Sequence, residues 1–159
     1  VQSQLGQKRQ VFYVGLGGWD THDDQAAKHP ELLTTLSQAL AAFQSNLDEM
    51  NLADNVTTFT MSDFGRTLTS NGDGTDHGWG GHQLLMGGAV KGGEIFGQMP
   101  ALELDSNDDF GDGRMIPTTS VDQYAATLAN WFGLSDSELN AVFPNLHHFE
   151  NSNLGFFNS

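Results

Sequence analysis

VFYVGLGG, residues 11–18, is a short run of β-branched and aromatic side chains closed by a glycine pair, the pattern of a buried strand. A polar cluster follows it, Trp19-Asp20-Thr21-His22-Asp23-Asp24. Pro30-Glu31 then has the form of a helix opening, with proline in the first turn and an acid at the positive end of the helix dipole. Leu33, Leu36, Leu40, Phe43, Leu47 and Met50 recur at steps of three and four, a one-sided stripe suited to lie on a sheet. Asp54-Asn55 turns the chain into a second strand, Val56 to Met61. Strand, long helix, strand predicts a βαβ unit with parallel strands and a right-handed crossover. The expected class is therefore α/β, with a parallel-sheet core and flanking helices.

Further along, residues 62–82 are rich in Gly, Asp and Asn and read as a long functional loop. Gln83 to Val90 and Gly93 to Gly97 offer short elements near a sheet edge. Ser120-Val121-Asp122-Gln123 is a capping box, followed by an apolar face of Val121, Tyr124, Leu128 and Trp131 or Phe132, with Gly133 as the stop. Ser135 to Glu138 is a second capping box, for a short helix ending before Pro144. The apolar tail Leu154-Gly155-Phe156-Phe157 is expected to pack on the body. Residues 11–159 read as a single α/β unit and part of a domain. The polar residues 1–10 read as a linker from a missing upstream segment.

With 6 basic and 20 acidic side chains among 159 residues, the net charge is −14. That balance argues against nucleic acid and anionic membranes as partners, since both require Lys and Arg. No apolar run approaches the roughly 20 residues of a membrane span, so no membrane insertion is expected. Zero cysteine excludes disulfides, thiolate nucleophiles and Cys-ligated zinc. An acidic, lysine-poor composition leans toward an exported or salt-exposed protein.

Both expected strands end in metal-ligand side chains. Asp20 and His22 follow the first; Asp63, then Asp76-His77 and His82, follow the second. Ligands of parallel sheets gather beyond the carboxyl ends of the strands, so the two clusters are expected to meet. Carboxylate with imidazole suits Zn²⁺, Mn²⁺ or Fe, and carboxylate alone suits Mg²⁺ or Ca²⁺; the sequence does not choose among them. Residues 105–113 alternate oxygen ligands but lack the central glycine and terminal glutamate of a calcium loop, and read as a solvated acidic loop. His147-His148 reads as an ordinary half-buried pair.

Gly18-Trp19-Asp20-Thr21-His22, Ser62-Asp63-Phe64-Gly65-Arg66-Thr67 and Gly74-Thr75-Asp76-His77-Gly78-Trp79 come in order along the chain. Lys91-Gly92-Gly93, Phe96-Gly97 and the late Tyr124, Trp131-Phe132-Gly133 and Phe143-Pro144 follow them. Together they resemble the signatures of the domain of unknown function 1501 family, which is placed near the alkaline phosphatase–sulfatase superfamily. The resemblance implies the carboxyl-terminal part of an alkaline phosphatase-like fold within a longer, exported polypeptide. It implies a hydrolase of small anionic phosphate or sulfate esters whose nucleophile lies in the upstream remainder of that polypeptide. One metal site would draw on Asp20, His22 and His82; a second would use Asp63, or Asp76-His77. Arg66 would contact an anionic oxygen. The alternative is a secreted or surface-attached binding module with a degenerate metal site.

Overall fold

The computed structural model describes residues 8–158. The linker expected at residues 1–10 therefore falls mostly outside the described residues. Helix α1 spans Gln25–Glu49 and contains Pro30, so it begins a turn and a half earlier than the proline signal implied. A short 3-10 turn at Ala53–Asn55 leads into β1, Thr58–Phe59. Strands β2, Gly65–Ser70, and β3, Thr75–Gly78, form a hairpin, and β4 is Leu85–Met86. Helices α2, Val121–Phe132, and α3, Asp136–Val142, lead to a last 3-10 turn at Leu146–His148.

The parallel-sheet core is not formed. The described residues hold two separate two-stranded sheets, β1 with β4 and β2 with β3, and both are antiparallel. Residues 11–16 form no strand and pair with none among the described residues; Phe12 and Tyr13 are 81% and 93% exposed. A parallel pair needs its two strands side by side, and among the described residues β1 pairs only with Leu85 and Met86, antiparallel. Among the described residues the stripe on α1 consequently has no parallel sheet to lie on. Leu47 is buried, but Leu33, Phe43 and Met50 stay exposed. No helix among the described residues is long and apolar enough to cross a membrane.

The stretch expected as a structureless loop is instead the β2–β3 hairpin. Gly65 pairs with Gly78, Arg66 with His77 and Ser70 with Thr75, with an irregularity between Arg66 and Ser70. Thr67 fills that irregularity: its buried hydroxyl donates to Thr69 O at 2.9 Å and accepts from Asp76 N at 3.1 Å. The edge of β2 continues outward, with Leu68 N donating to Gly113 O at 2.9 Å.

The apolar core lies in the carboxyl-terminal region. Ala126, Leu139 and Leu146 are buried together, with Ala129, Leu134 and Phe143 packed around them. Both capping boxes form, at Ser120 with Gln123 and at Ser135 with Glu138, and Gly133 ends α2 at φ 108°, a left-handed value that favours glycine. The tail packs as expected. Phe156 is fully buried against Phe96 and Tyr124, and Phe157 bridges to Val90 and stacks on Trp131. Tyr124 joins this body to β1, donating to Thr60 O at 3.1 Å.

Candidate metal centre

The site is built where a turn meets a loop. Gly74, in the β2–β3 turn, is buried against the backbone of Thr21 and His22, and a Cβ there would overlap the His22 carbonyl. Thr75 N donates to Thr21 O at 3.4 Å, and Gln25 N donates to Asp73 O at 3.0 Å. The turn thus satisfies a free amide at the start of α1, whose own cap residue, Asp24, makes no side-chain cap. Thr21 is 1% exposed, so the loop is pinned at its centre while Asp20 and His22 on either side stay open to solvent. Strand β3 carries Asp76 and His77 alongside them.

Asp20 Oδ1 is the hub of the cluster. His77 Nε2 lies 2.7 Å from it, His22 Nε2 3.0 Å and Arg66 Nη1 3.2 Å. The His22 and His77 rings stack at 4.9 Å, and Phe64 lies flat on His77 with ring centroids 4.0 Å apart. The bond to His77 is the main cause holding the Asp20 carboxyl below its ordinary range, and Arg66 and His22 add to it. Arg66 is the least exposed member. Its Nε donates to Thr75 Oγ1 at 2.9 Å and its Nη2 to Thr75 O, so the guanidinium is tied to β3 as well as to Asp20.

One ligand atom each from Asp20, His22 and His77 lies within 4.8 Å of the others, a group that could hold a metal ion. Donors about 2.0–2.1 Å from a tetrahedral zinc ion are themselves separated by roughly 3.3 Å, so the Asp20–His77 and Asp20–His22 contacts at 2.7 and 3.0 Å would widen slightly around an ion. Two imidazoles and a carboxylate fit zinc or a similar transition ion.

The other expected ligands lie elsewhere. Asp76 sits behind His22, its Oδ1 3.1 Å from His22 Nδ1 and accepting from Asn71 Nδ2 at 3.0 Å. Those two bonds, Asn71 first, lower the Asp76 carboxyl from its usual range. Asp63 is exposed, and no hydrogen bond or ion pair joins it to the cluster among the described residues. His82 places Nε2 3.3 Å from Met99 Sδ and stands outside the group. Asn71 and Phe64 are members that sequence reasoning missed. Asn71 belongs to an Asn-Gly turn between threonine-rich strands, a hairpin signal that was available. In the acidic loop the Asp109 carboxylate accepts from the amides of Gly111, Asp105 and Gly113, with Gly111 the main cause of its lowered pKa. His147 and His148 are exposed rather than half-buried.

No curated protein and no solved structure matches the chain. A family model described as "Protein of unknown function (DUF1501)" matches residues 4–143, a span that includes every residue of the cluster. The chain belongs to the DUF1501 family.

Proposed function

We propose that the chain supplies the metal-holding part of a phosphate- or sulfate-ester hydrolase. The proposal is carried by the convergence of Asp20, His22 and His77 from a loop and a hairpin, with Asp20 and His77 57 positions apart in the chain. Three protein ligands leave coordination positions free, the arrangement of catalytic rather than structural zinc sites. A divalent ion bound there supplies Lewis-acid stabilisation of charge on ester oxygens. Arg66 adds a second positive charge beside Asp20, which suits an anionic substrate. The roughly half-exposed side chains of Asp20, His22 and His77 leave the cluster accessible to such a ligand. The acidic, lysine-poor composition is the feature that favours a location outside the cytoplasm.

The nearby hydroxyls favour a nucleophile from water or from another part of a longer polypeptide. Thr21 is buried, Thr75 Oγ1 accepts from Arg66, and Ser62 Oγ donates to Phe64 O. The same engagement favours a second reading, a non-catalytic binding module that keeps the ion alone.

Zinc titration by calorimetry separates these readings when combined with assays on aryl phosphate and aryl sulfate esters in the full-length polypeptide. Stoichiometric Zn²⁺, lost at least tenfold in affinity in Asp20→Ala and His77→Ala together with hydrolysis, is expected. Metal binding without hydrolysis selects the second reading. A wild-type protein that binds no divalent ion ends both.

A further inference from the structure

We infer that Asp76 is a positioning residue that presents His22 to the ion, rather than a ligand itself. The inference rests on the metal proposal above. A neutral imidazole carries one N–H donor and one lone pair, and the partner of one nitrogen decides where the other's lone pair points. His22 has a carboxylate on each side: Asp76 Oδ1 at 3.1 Å from Nδ1 and Asp20 Oδ1 at 3.0 Å from Nε2. Only the Nδ1 contact has hydrogen-bond geometry. An ionised carboxylate accepts and cannot donate, so Asp76 holds the proton on Nδ1, which donates to it. The lone pair is thereby left on Nε2, facing the Asp20–His77 side, which is the orientation metal coordination needs.

Asp76 is itself held from behind. Asn71 Nδ2 donates to its Oδ1 at 3.0 Å. Asn71 is fixed to the turn twice, through Gly74 N to its Oδ1 at 3.2 Å and through its own amide to Gly74 O at 3.0 Å. A chain of hydrogen bonds therefore runs from the Gly74 backbone through Asn71 and Asp76 to His22. His77 is oriented differently. Among the described residues no hydrogen bond reaches its Nδ1, and its ring is laid flat on Phe64 instead. The two imidazoles are thus aimed by different devices, one polar and one by stacking.

Zn²⁺ affinities of the wild type, Asp76→Ala, Asp76→Asn, His22→Ala and the His22→Ala/Asp76→Ala double variant, measured by chelator competition, test this. Loss of a carboxylate behind a ligating histidine costs about 10–100-fold in metal affinity, the drop expected for Asp76→Ala. Asp76→Asn still accepts from Nδ1–H and recovers most of it. In the His22→Ala background, Asp76→Ala costs nothing more. Ring ¹⁵N shifts of metal-free His22 report protonated Nδ1 and bare Nε2 in the wild type, and a tautomer mixture in Asp76→Ala. Unchanged affinity in Asp76→Ala, or an equal loss with His22 already removed, overturns the inference. A wild type that binds no Zn²⁺ defeats the metal proposal instead, and the ¹⁵N signature then decides the Asp76–His22 pairing by itself.

Discussion

The carboxyl-terminal body and the candidate site are held together by different forces. Residues 120–157 bury Ala126, Leu139, Leu146 and Phe156 behind two capped helices, so apolar area removed from water organises them. Among the described residues around the site, the well-buried side chains are Thr21 and Thr67. Loop and hairpin meet there through backbone hydrogen bonds, side-chain bonds and the missing side chain of Gly74. The contrast teaches that the chemistry of this chain sits on a polar joint with little apolar support. Such a joint is expected to open at lower cost than the body.

Phe156→Ala breaks the body and is the largest expected effect. It removes a fully buried ring that touches Phe96 and Tyr124, and deleting such a ring costs about 3–5 kcal/mol. Urea unfolding measures the loss, and Zn²⁺ affinity under native conditions is expected to change little. Gly74→Ala breaks the joint. Its Cβ forces the turn away from His22, at about 1–3 kcal/mol for an overpacked site. Zn²⁺ affinity falls more than tenfold while the α2 amides keep their hydrogen-exchange protection. Equal loss of protection in both regions would erase the distinction between them.

The smallest effect sharpens the comparison from the alkaline side. Burial pushes the Tyr124 phenol from 10.0 to about 12. The unfolded chain therefore releases this proton first, so the contribution is complete below pH 10 and is lost as pH rises toward about 12. Urea midpoints measured across that interval fall in the wild type, and the part of the slope due to this group vanishes in Tyr124→Phe.

What could be read from the sequence followed how locally each feature is determined. Ser120 with Gln123 and Ser135 with Glu138 were legible because a capping box is settled within four residues. The periodicity of α1 gave a helix, but not its start at Gln25, because the cap that matters is the distant Asp73 carbonyl. Strand pairing was the failure: Val11 to Leu16 and Val56 to Met61 carry the right composition, and composition does not choose a partner. Asp20, His22 and His77 were legible as a cluster, yet hairpin docking brings them together, not parallel strand ends. The place of Asp76 behind His22 was not legible, since neighbours in sequence reveal nothing of which nitrogen each carboxylate meets.

The open run from Val11 to Val14 has a practical consequence for anyone handling this chain in isolation. Its amides and carbonyls, without strand partners among the described residues and flanked by uncharged β-branched and aromatic side chains, form a template on which further copies can stack into fibrils. Mutual repulsion at a net charge of −14 opposes that contact in dilute buffer. In brine the screening length shrinks to about 3 Å at 1 M salt, and a dispersed solute becomes a seed.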